Sequence, residues 1–423
     1  MAPLKICMLT YSFYESDSRV QQYANALVGR GDAVDVIALK REGQPSHAIV
    51  NGVNVYRIQS RTRTEKGQIA YAFKILVFLL RSALFVTRKH VRQAYQVIHV
   101  HNVPDFLIFA AAVPKLTGAI IILDIHDILP EFYGSKFKAT QDSLTFKFLL
   151  LCEKLSTAFS DHVIIANHIW HERLLSRSVS PEKCTAICNY PDPHIFFSRP
   201  RTRTDGRFII MYPGTLNWHQ GLDVAIKAFA RVANQIPGAE FHIYGEGPAK
   251  GSLISLANDL GLNGKVSFRN FVPTEEIAVL MGAADLAVVP KRASLFGNEA
   301  ESTKIQEFMA LGVPVIASRT KITCYYQNDS RVKFFESEND ADLAEVILQL
   351  NADATLRNQL VSNAAKYIES NNWDVKKHEY LGLVDSLVAA REARRKRAAR
   401  KRNLSPEQET IGATRDRKSS SRV

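Results

Sequence analysis

An α/β chain of two doubly wound domains in tandem is what this sequence predicts, and three observations carry that reading. Apolar runs of strand length alternate with stretches of helical period over residues 4–166. The strands are apolar throughout rather than every second residue, the pattern of a parallel sheet covered by helices on both faces. The segment SRPRTRTDGR, 198–207, then carries Pro and Gly without apolar period, a linker, and the alternation restarts at Phe208.

In order, residues 4–10 form a strand, 11–17 a polar loop, and Val20, Tyr23, Ala24 and Leu27 mark an amphipathic helix closed by Gly31. Strands follow at 33–39 and 53–58, a long helix at 68–91, a strand at 96–100, a helix at 104–116, a strand at 119–124, a helix at 143–159 and a strand at 162–166. After the linker come strand 208–212, helix 222–235, strand 240–244, helix 251–260, strand 266–268, helix 274–283, strand 286–290, helix 301–311 and strand 313–317. Residues from 341 onward read helical, with a break at 369–373 and a last helix at 374–389. The domains are therefore 1–197 and 208–372, both Rossmann-like, joined by 198–207. The helix 373–390 returns to the first domain, and the basic tail 391–423 has too few apolar residues to fold. Ligands in such sheets sit at the carboxyl ends of strands, so the loops after Thr10, Val100 and Asp124 are where chemistry is expected.

The formal charge of +12 suggests nucleic acid until it is located: +8 of it lies in residues 391–423, which hold 12 Lys/Arg against 4 Asp/Glu. The tail fits either a solvated segment or one that adheres to an anionic membrane; nucleic acid is a weaker reading. Five scattered cysteines, of which only Cys184 and Cys188 are neighbours, form neither a disulfide framework nor a zinc pattern, and a reducing, cytoplasmic setting is expected. MAPLKICMLTYSF enters a strand directly, so no leader is expected. The stretch YAFKILVFLLRSALFV, 71–86, is interrupted by Lys74 and Arg81 and is not expected to span a bilayer. With Arg88, Lys89 and Arg92 behind it, it fits either an interfacial helix or a helix buried against a sheet.

Neither domain has G-x-G-x-x-G after its first strand, and no Walker A sequence occurs, which excludes dinucleotide and P-loop readings. The informative stretch is LFGNEAESTKIQEFMALGVPVIAS, 295–318: a loop with Glu299 and Glu301, a helix with Glu307, then a buried strand. A loop feeding a helix offers unpaired N–H groups and the positive dipole end to an anion, and Ser302 and Thr303 add hydroxyls, although both also fit as helix caps. Glu307 is placed to accept from sugar hydroxyls.

Glu299 and Glu307 have seven residues between them. This pair, with YPGTLNWHQGLDVAIKAF, FHIYGEGPAK and VSFRNFVPTEEIAVLMGAADLAVVP before it and HVHNVP and LDIHDILPE in the first domain, resembles the retaining GT-B glycosyltransferases of glycosyltransferase family 4. The matches run in the family's order over residues 4–390 and look most like the bacterial enzymes of exopolysaccharide, capsule or lipopolysaccharide synthesis. The resemblance implies transfer of a hexose or N-acetylhexosamine from a nucleotide-sugar to a glycan or polyprenyl-diphosphate-linked acceptor, with no bound metal or other cofactor.

By that resemblance His126 contacts the transferred sugar and Glu299 lies beside it as the catalytic pair. Glu307 holds the ribose, and the N–H groups near Ser302 and Thr303 hold the diphosphate. Gly214, Gly245 and Val272 fall on the donor side, while Arg19, His101 and Asp127 face the acceptor. Imidazole at His126 is expected to be neutral. Asp127 also fits an Asx turn before Pro130, and His101 a packing role. The family's Arg and Lys for the donor phosphates are replaced by Thr215 and Gln220, so Lys291, Arg292, Lys304 or Arg19 would have to supply the charge, Lys291 and Arg292 also fitting a solvated loop. The first loop, TYSFYESDSR, lacks the family's Gly-Gly. A catalytically silent scaffold of this fold and a nucleotide-sugar 2-epimerase are the alternatives. The expected location is cytoplasmic and peripheral on the inner face of the cell membrane, with residues 71–92 and 391–402 as the contacts.

Overall fold

The computed structural model describes residues 3–61, 68–137, 142–200 and 203–402. The first domain is an eight-stranded sheet: β1 (Lys5–Thr10), β2 (Ala33–Lys40), β3 (His47–Val50), β4 (Val53–Ser60), β5 (Val97–His101), β6 (Ile120–Ile125), β7 (His162–Ile165) and β8 (Cys184–Ala186). Their spatial order is β3-β4-β2-β1-β5-β6-β7-β8, parallel except for the β3–β4 hairpin. Of that hairpin β4 is expected from sequence and β3 is not, yet the turn between them is Asn51-Gly52, both with positive φ, the two-residue loop that suits strand twist.

The second domain has six parallel strands: β9 (Phe208–Pro213), β10 (Ala239–Tyr244), β11 (Val266–Arg269), β12 (Leu286–Val289), β13 (Val315–Ser318) and β14 (Lys333–Phe335). The order is β11-β10-β9-β12-β13-β14. In each sheet the order reverses beside the first strand, between β1 and β5 and between β9 and β12. The two crevices at those reversals are where a doubly wound sheet takes its ligand. They receive the loops after Thr10 and His101 on one side and after Pro213 and Val289 on the other.

Helices cover both sheet faces. Ile75, Phe78 and Val86 of the helix Gln68–Gln93 join the core on one face of the first sheet, with Leu107 and Ile108 beside them. Ala70–Gln93 is long and apolar enough to cross a bilayer by length and composition; here one side of it is docked on the domain. The opposite face is closed by Val20, Tyr23 and Leu27 together with Trp373, Tyr380 and Val384, so the last helix packs on the first domain although it follows the second. Phe296 and Ala300 of the second domain reach into the first domain's core, where the Phe296 ring lies 5.1 Å from Phe132 and 5.7 Å from Trp170.

Three expectations need correction. Residues 105–111 of the expected helix 104–116 are a 3-10 helix, and only Ala112–Leu116 is α-helical. The helix preceding β13 begins at Thr303, two residues later than expected, leaving Glu301 and Ser302 in the loop. The last helix, expected to stop at 389, runs from Trp373 to Arg402: Arg, Lys and Ala are good helix formers without a core to bury them. The remainder of the tail, 403–423, and linker residues 201–202 lie outside the described residues.

Candidate functional site

On the first domain's side everything converges on Asp124, the one acid in β6, fully buried at its carboxyl end. Arg19 grips its carboxylate side-on, Nε at 2.9 Å and Nη2 at 2.7 Å. His101 Nδ1 at 3.0 Å and His126 Nε2 at 2.9 Å reach the same carboxylate. An ionised carboxylate only accepts, so both ring nitrogens carry the proton. Burial alone would raise the Asp124 pKa, but Arg19 and the two imidazoles hold it well below the usual range. Burial keeps His101 below its ordinary value. At His126 burial is outweighed by the Asp124 charge and hydrogen bond, and the net shift is upward. The neutral His126 expected from sequence is thus biased towards imidazolium. Asn102 sets the loop: its Oδ1 accepts from the backbone N–H of His126 at 2.7 Å, and its Nδ2 donates to the Asp127 carbonyl at 2.8 Å.

His99, His101 and Asp124 offer ligand atoms within 4.8 Å of one another. The Arg19 guanidinium already neutralises that carboxylate, so a second cation there would meet a charge of its own sign.

On the second domain's side, β9 ends in a turn at Gly214, with φ of 136°. A Cβ on Gly214 would stand 2.3 Å from Lys304 Cε, so glycine is what lets the Lys304 side chain lie across the turn. Its ammonium sits 5.4 Å from the centre of the Tyr212 ring, whose hydroxyl donates to the Thr215 carbonyl at 3.1 Å. Lys291, buried after β12, donates from Nζ to the Ala300 carbonyl at 2.6 Å. Burial, with Lys304 nearby, lowers Lys291 to about 7 against the partial opposition of Asp127 and Glu301. Burial followed by Lys291 and Lys304 lowers His219 to about 4. Burial also lowers Lys304, opposed by Glu307. These mutual effects place Lys291 and Lys304 near each other and near His219, itself uncharged at neutral pH, at the β9/β12 crevice beside the start of the helix Thr303–Ala310.

The acids of the loop divide. Burial raises Glu307, opposed by Lys304 and Thr303, and raises Glu301 to about 7, opposed by its hydrogen bond from Gln306, by Lys291 and by Arg19. Glu299 instead meets Arg173 of the first domain at 2.6 Å and Lys321 at 3.3 Å, and its carbonyl accepts from Asn167 Nδ2 at 3.1 Å. Ser302 occupies the N-cap without a side-chain capping bond, and its buried hydroxyl oxygen has no partner among the described residues.

The structure thus brings Gly214, Lys291, Lys304, Ser302, Thr303 and Glu307 together on one side and His126, His101, Asp127 and Arg19 on the other. Two expected donor charges are committed elsewhere. Arg292 is bidentate to Asp223 at 2.9 and 2.8 Å and also meets Glu338 at 3.0 Å; Arg19 is spent on Asp124. Gln220 is buried with its amide 3.1 Å from His219 Nε2. Val272 is half-buried against the second domain's apolar core. Gly245, φ 141°, backs directly on Gly214: a Cβ there would stand 1.9 Å from the Gly214 carbonyl oxygen. Sequence reasoning missed Asp124, Asn102, Arg173 and His219 as site residues and named Glu301 only as an acid of the loop. A lone acid inside the run IIILDI was a readable sign for Asp124, whereas Arg173 lies far along the chain from its partner.

Comparison with known proteins bears on the family and the fold. The family described as glycosyl transferase 4-like domain matches residues 16–190, and glycosyl transferases group 1 matches 195–367. An uncharacterized glycosyltransferase of Methanocaldococcus jannaschii is 26% identical over 372 residues, 83% of this chain and 89% of its own. A GDP-mannose-dependent alpha-(1-6)-phosphatidylinositol monomannoside mannosyltransferase of Mycolicibacterium smegmatis is 31% identical over 124 residues, 29% of this chain and 32% of that one, so the match spans about a third of that relative. Among solved structures, sucrose-phosphate synthase from Thermosynechococcus elongatus superposes with a TM-score of 0.73 at 19% identity, covering 92% of this chain and all of the other. Anabaena HepE, solved with UDP and glucose, gives 0.68 at 17% identity, covering 90% of this chain and all of that one.

Proposed function

This chain belongs to the GT-B glycosyltransferases of the family 4 type, and from that premise we propose that it transfers a hexose or N-acetylhexosamine from a nucleotide-sugar, with retention of configuration, to a glycan or lipid-linked acceptor of surface polysaccharide synthesis. The observation that carries the reading is the placing of Lys304 across the Gly214 turn and of Lys291 on the Ala300 carbonyl, both at the β9/β12 crevice beside the helix that begins at Thr303, with His219 near them. A diphosphate seated there would receive helix N–H groups and two ammonium charges, which stabilise the leaving group as the glycosidic bond breaks. Glu307 would take the ribose hydroxyls. In this reading Lys304 replaces the charge absent at Thr215 and Gln220.

The sugar would then project towards His126. Asp124 orients that imidazole and favours its protonated form, which can donate to a sugar hydroxyl. Glu299, held on the opposite domain's loop by Arg173 and Lys321, would approach the same sugar from that side. Metal independence follows in this proposal from the lysines and helix terminus acting in place of a divalent cation. Transfer is expected to persist in EDTA, and the product anomer read by NMR should match the donor's; inversion would exclude retention. Binding of donor without turnover on any lipid-linked acceptor would favour the silent scaffold, and isomerisation of donor alone the epimerase. UDP and GDP donors are the first to test, since the solved neighbour holds UDP and the mycobacterial relative uses GDP-mannose.

A further inference from the structure

We propose that three adjoining elements of the first domain and the cationic end of the last helix form one face that docks on an anionic lipid bilayer. The helix Gln68–Gln93 has two apolar sides. Ile75, Phe78 and Val86 enter the core, while Phe73 (65% exposed), Leu76, Leu80 (62%) and Leu84 point outward at spacings of three and four residues. A helix on a soluble surface normally turns polar residues outward. The helix Leu144–Phe159 repeats the anomaly with Leu144 (86%), Phe148 (61%), Leu151 and Leu155. The 3-10 and α segments that pack between the two helices expose Leu116 (87%) at their end. A contiguous apolar surface drawn from three packed elements exceeds the scattered exposure of ordinary proteins and marks an interaction site.

Charge selects the occupant. The helix Gln68–Gln93 contains no acid, and Arg81, Arg88 and Arg92 are exposed beside its apolar stripe; Lys147 and Lys154 are exposed beside that of Leu144–Phe159. The last helix adds Arg391, Arg394, Arg395, Lys396, Arg397 and Arg400 against the single acid Glu392. Its position is fixed by Arg395 Nη2, which donates to the carbonyls of Thr117 at 3.2 Å and Gly118 at 3.0 Å, the residues directly after Leu116. His90 Nε2 meets the Thr117 hydroxyl at 2.7 Å, tying the basic end of the long helix to the same corner. An apolar centre rimmed by cations suits acyl chains beneath anionic headgroups. A second copy of the chain would bring an identical positive rim against this one, which repels. The surface deepens the glycosyltransferase reading in one respect: a lipid-linked acceptor would be met there. The docking itself does not rest on that reading.

The test is co-sedimentation of the full chain with vesicles, without donor or acceptor, so that its failure and the failure of the transferase reading are distinguishable. Sedimentation with phosphatidylglycerol–phosphatidylcholine vesicles is expected, with at least ~10-fold weaker binding to pure phosphatidylcholine or in 1 M salt, where screening shortens to about 3 Å. Leu80→Ser with Phe148→Ser should abolish binding, and Arg394→Glu with Arg397→Glu should weaken it, all with nucleoside diphosphate binding unchanged. Phe73→Trp should shift its fluorescence to the blue on the mixed vesicles, a reading that survives poor folding of the double variants. Equal binding by the Leu80/Phe148 variant, no shift at Trp, or a dimer in sedimentation velocity that the same substitutions dissolve would each overturn the proposal.

Discussion

Lys304 and Lys291 carry charge into a pocket that gives them little to pair with, and that is costly in the free protein. Between its folded value of about 7 and its ordinary 10.5, Lys291 binds fewer protons native than unfolded. Its contribution to stability therefore rises as pH climbs through that window and is unfavourable below 7. Anion binding has the opposite sign, because only the ammonium form attracts a diphosphate. Donor affinity should fall as pH rises above about 7, and calorimetry at pH 8 in buffers of different ionisation enthalpy should register proton uptake on binding. Pure pH independence between 6 and 9 would separate Lys291 from the donor. Gly245 gives a structural counterpart: Gly245→Ala places a methyl 1.9 Å from a backbone carbonyl in a positive-φ turn. A loss of about 1–3 kcal/mol in urea unfolding is expected, since backbone cannot swing away as a side chain could.

At the level of elements, the helix Thr303–Ala310 and the strands on either side were legible, because a run of helix formers, Gly312 and a buried apolar stretch each leave a local signature. The short strands β8 and β14 were not: three residues each, they owe their form to pairing with β7 and β13. The 3-10 geometry of Asp105–Ala111 likewise depends on its setting, where Asp105 is buried and receives Asn102 Nδ2 at 2.7 Å. The site followed the same division. Glu307 could be singled out from residue type and spacing, and His126 and Gly214 through the family resemblance, whereas the commitment of Arg292 to Asp223 and of Arg19 to Asp124 is decided by partners 69 and 105 positions away. The last helix offers a test at this scale. Tyr380 is fully buried against Tyr23, ring centres 4.1 Å apart, and its hydroxyl meets His99 at 3.0 Å. Tyr380→Ala should cost about 3–5 kcal/mol and destabilise the first domain despite lying at the far end of the chain.

For the whole molecule, Asp127 of the first domain and Lys291 of the second lie close enough to shift each other's titration, and the chain crosses back so that the last helix seals the first domain. The domains touch through Phe296 on Trp170 and through Arg173 on Glu299, an apolar and an ionic contact. Replacing Arg173 by Ala should loosen this arrangement: small-angle scattering of the donor-free protein is expected to show a larger radius of gyration, with donor restoring much of the compaction. An unchanged radius would assign the pair to holding Glu299 rather than the domains. The central claim is that a nucleotide-sugar diphosphate occupies the Lys291–Lys304–His219 pocket. Its most direct measurement is calorimetric titration of nucleoside diphosphates, their sugars and the bare nucleosides into wild-type and Lys304→Ala protein. The account predicts that at least one nucleoside diphosphate binds well above its bare nucleoside, and that Lys304→Ala loses about tenfold or more of that difference, about 1.4 kcal/mol. Equal affinity for nucleoside and diphosphate, or full retention of binding in Lys304→Ala, would contradict it.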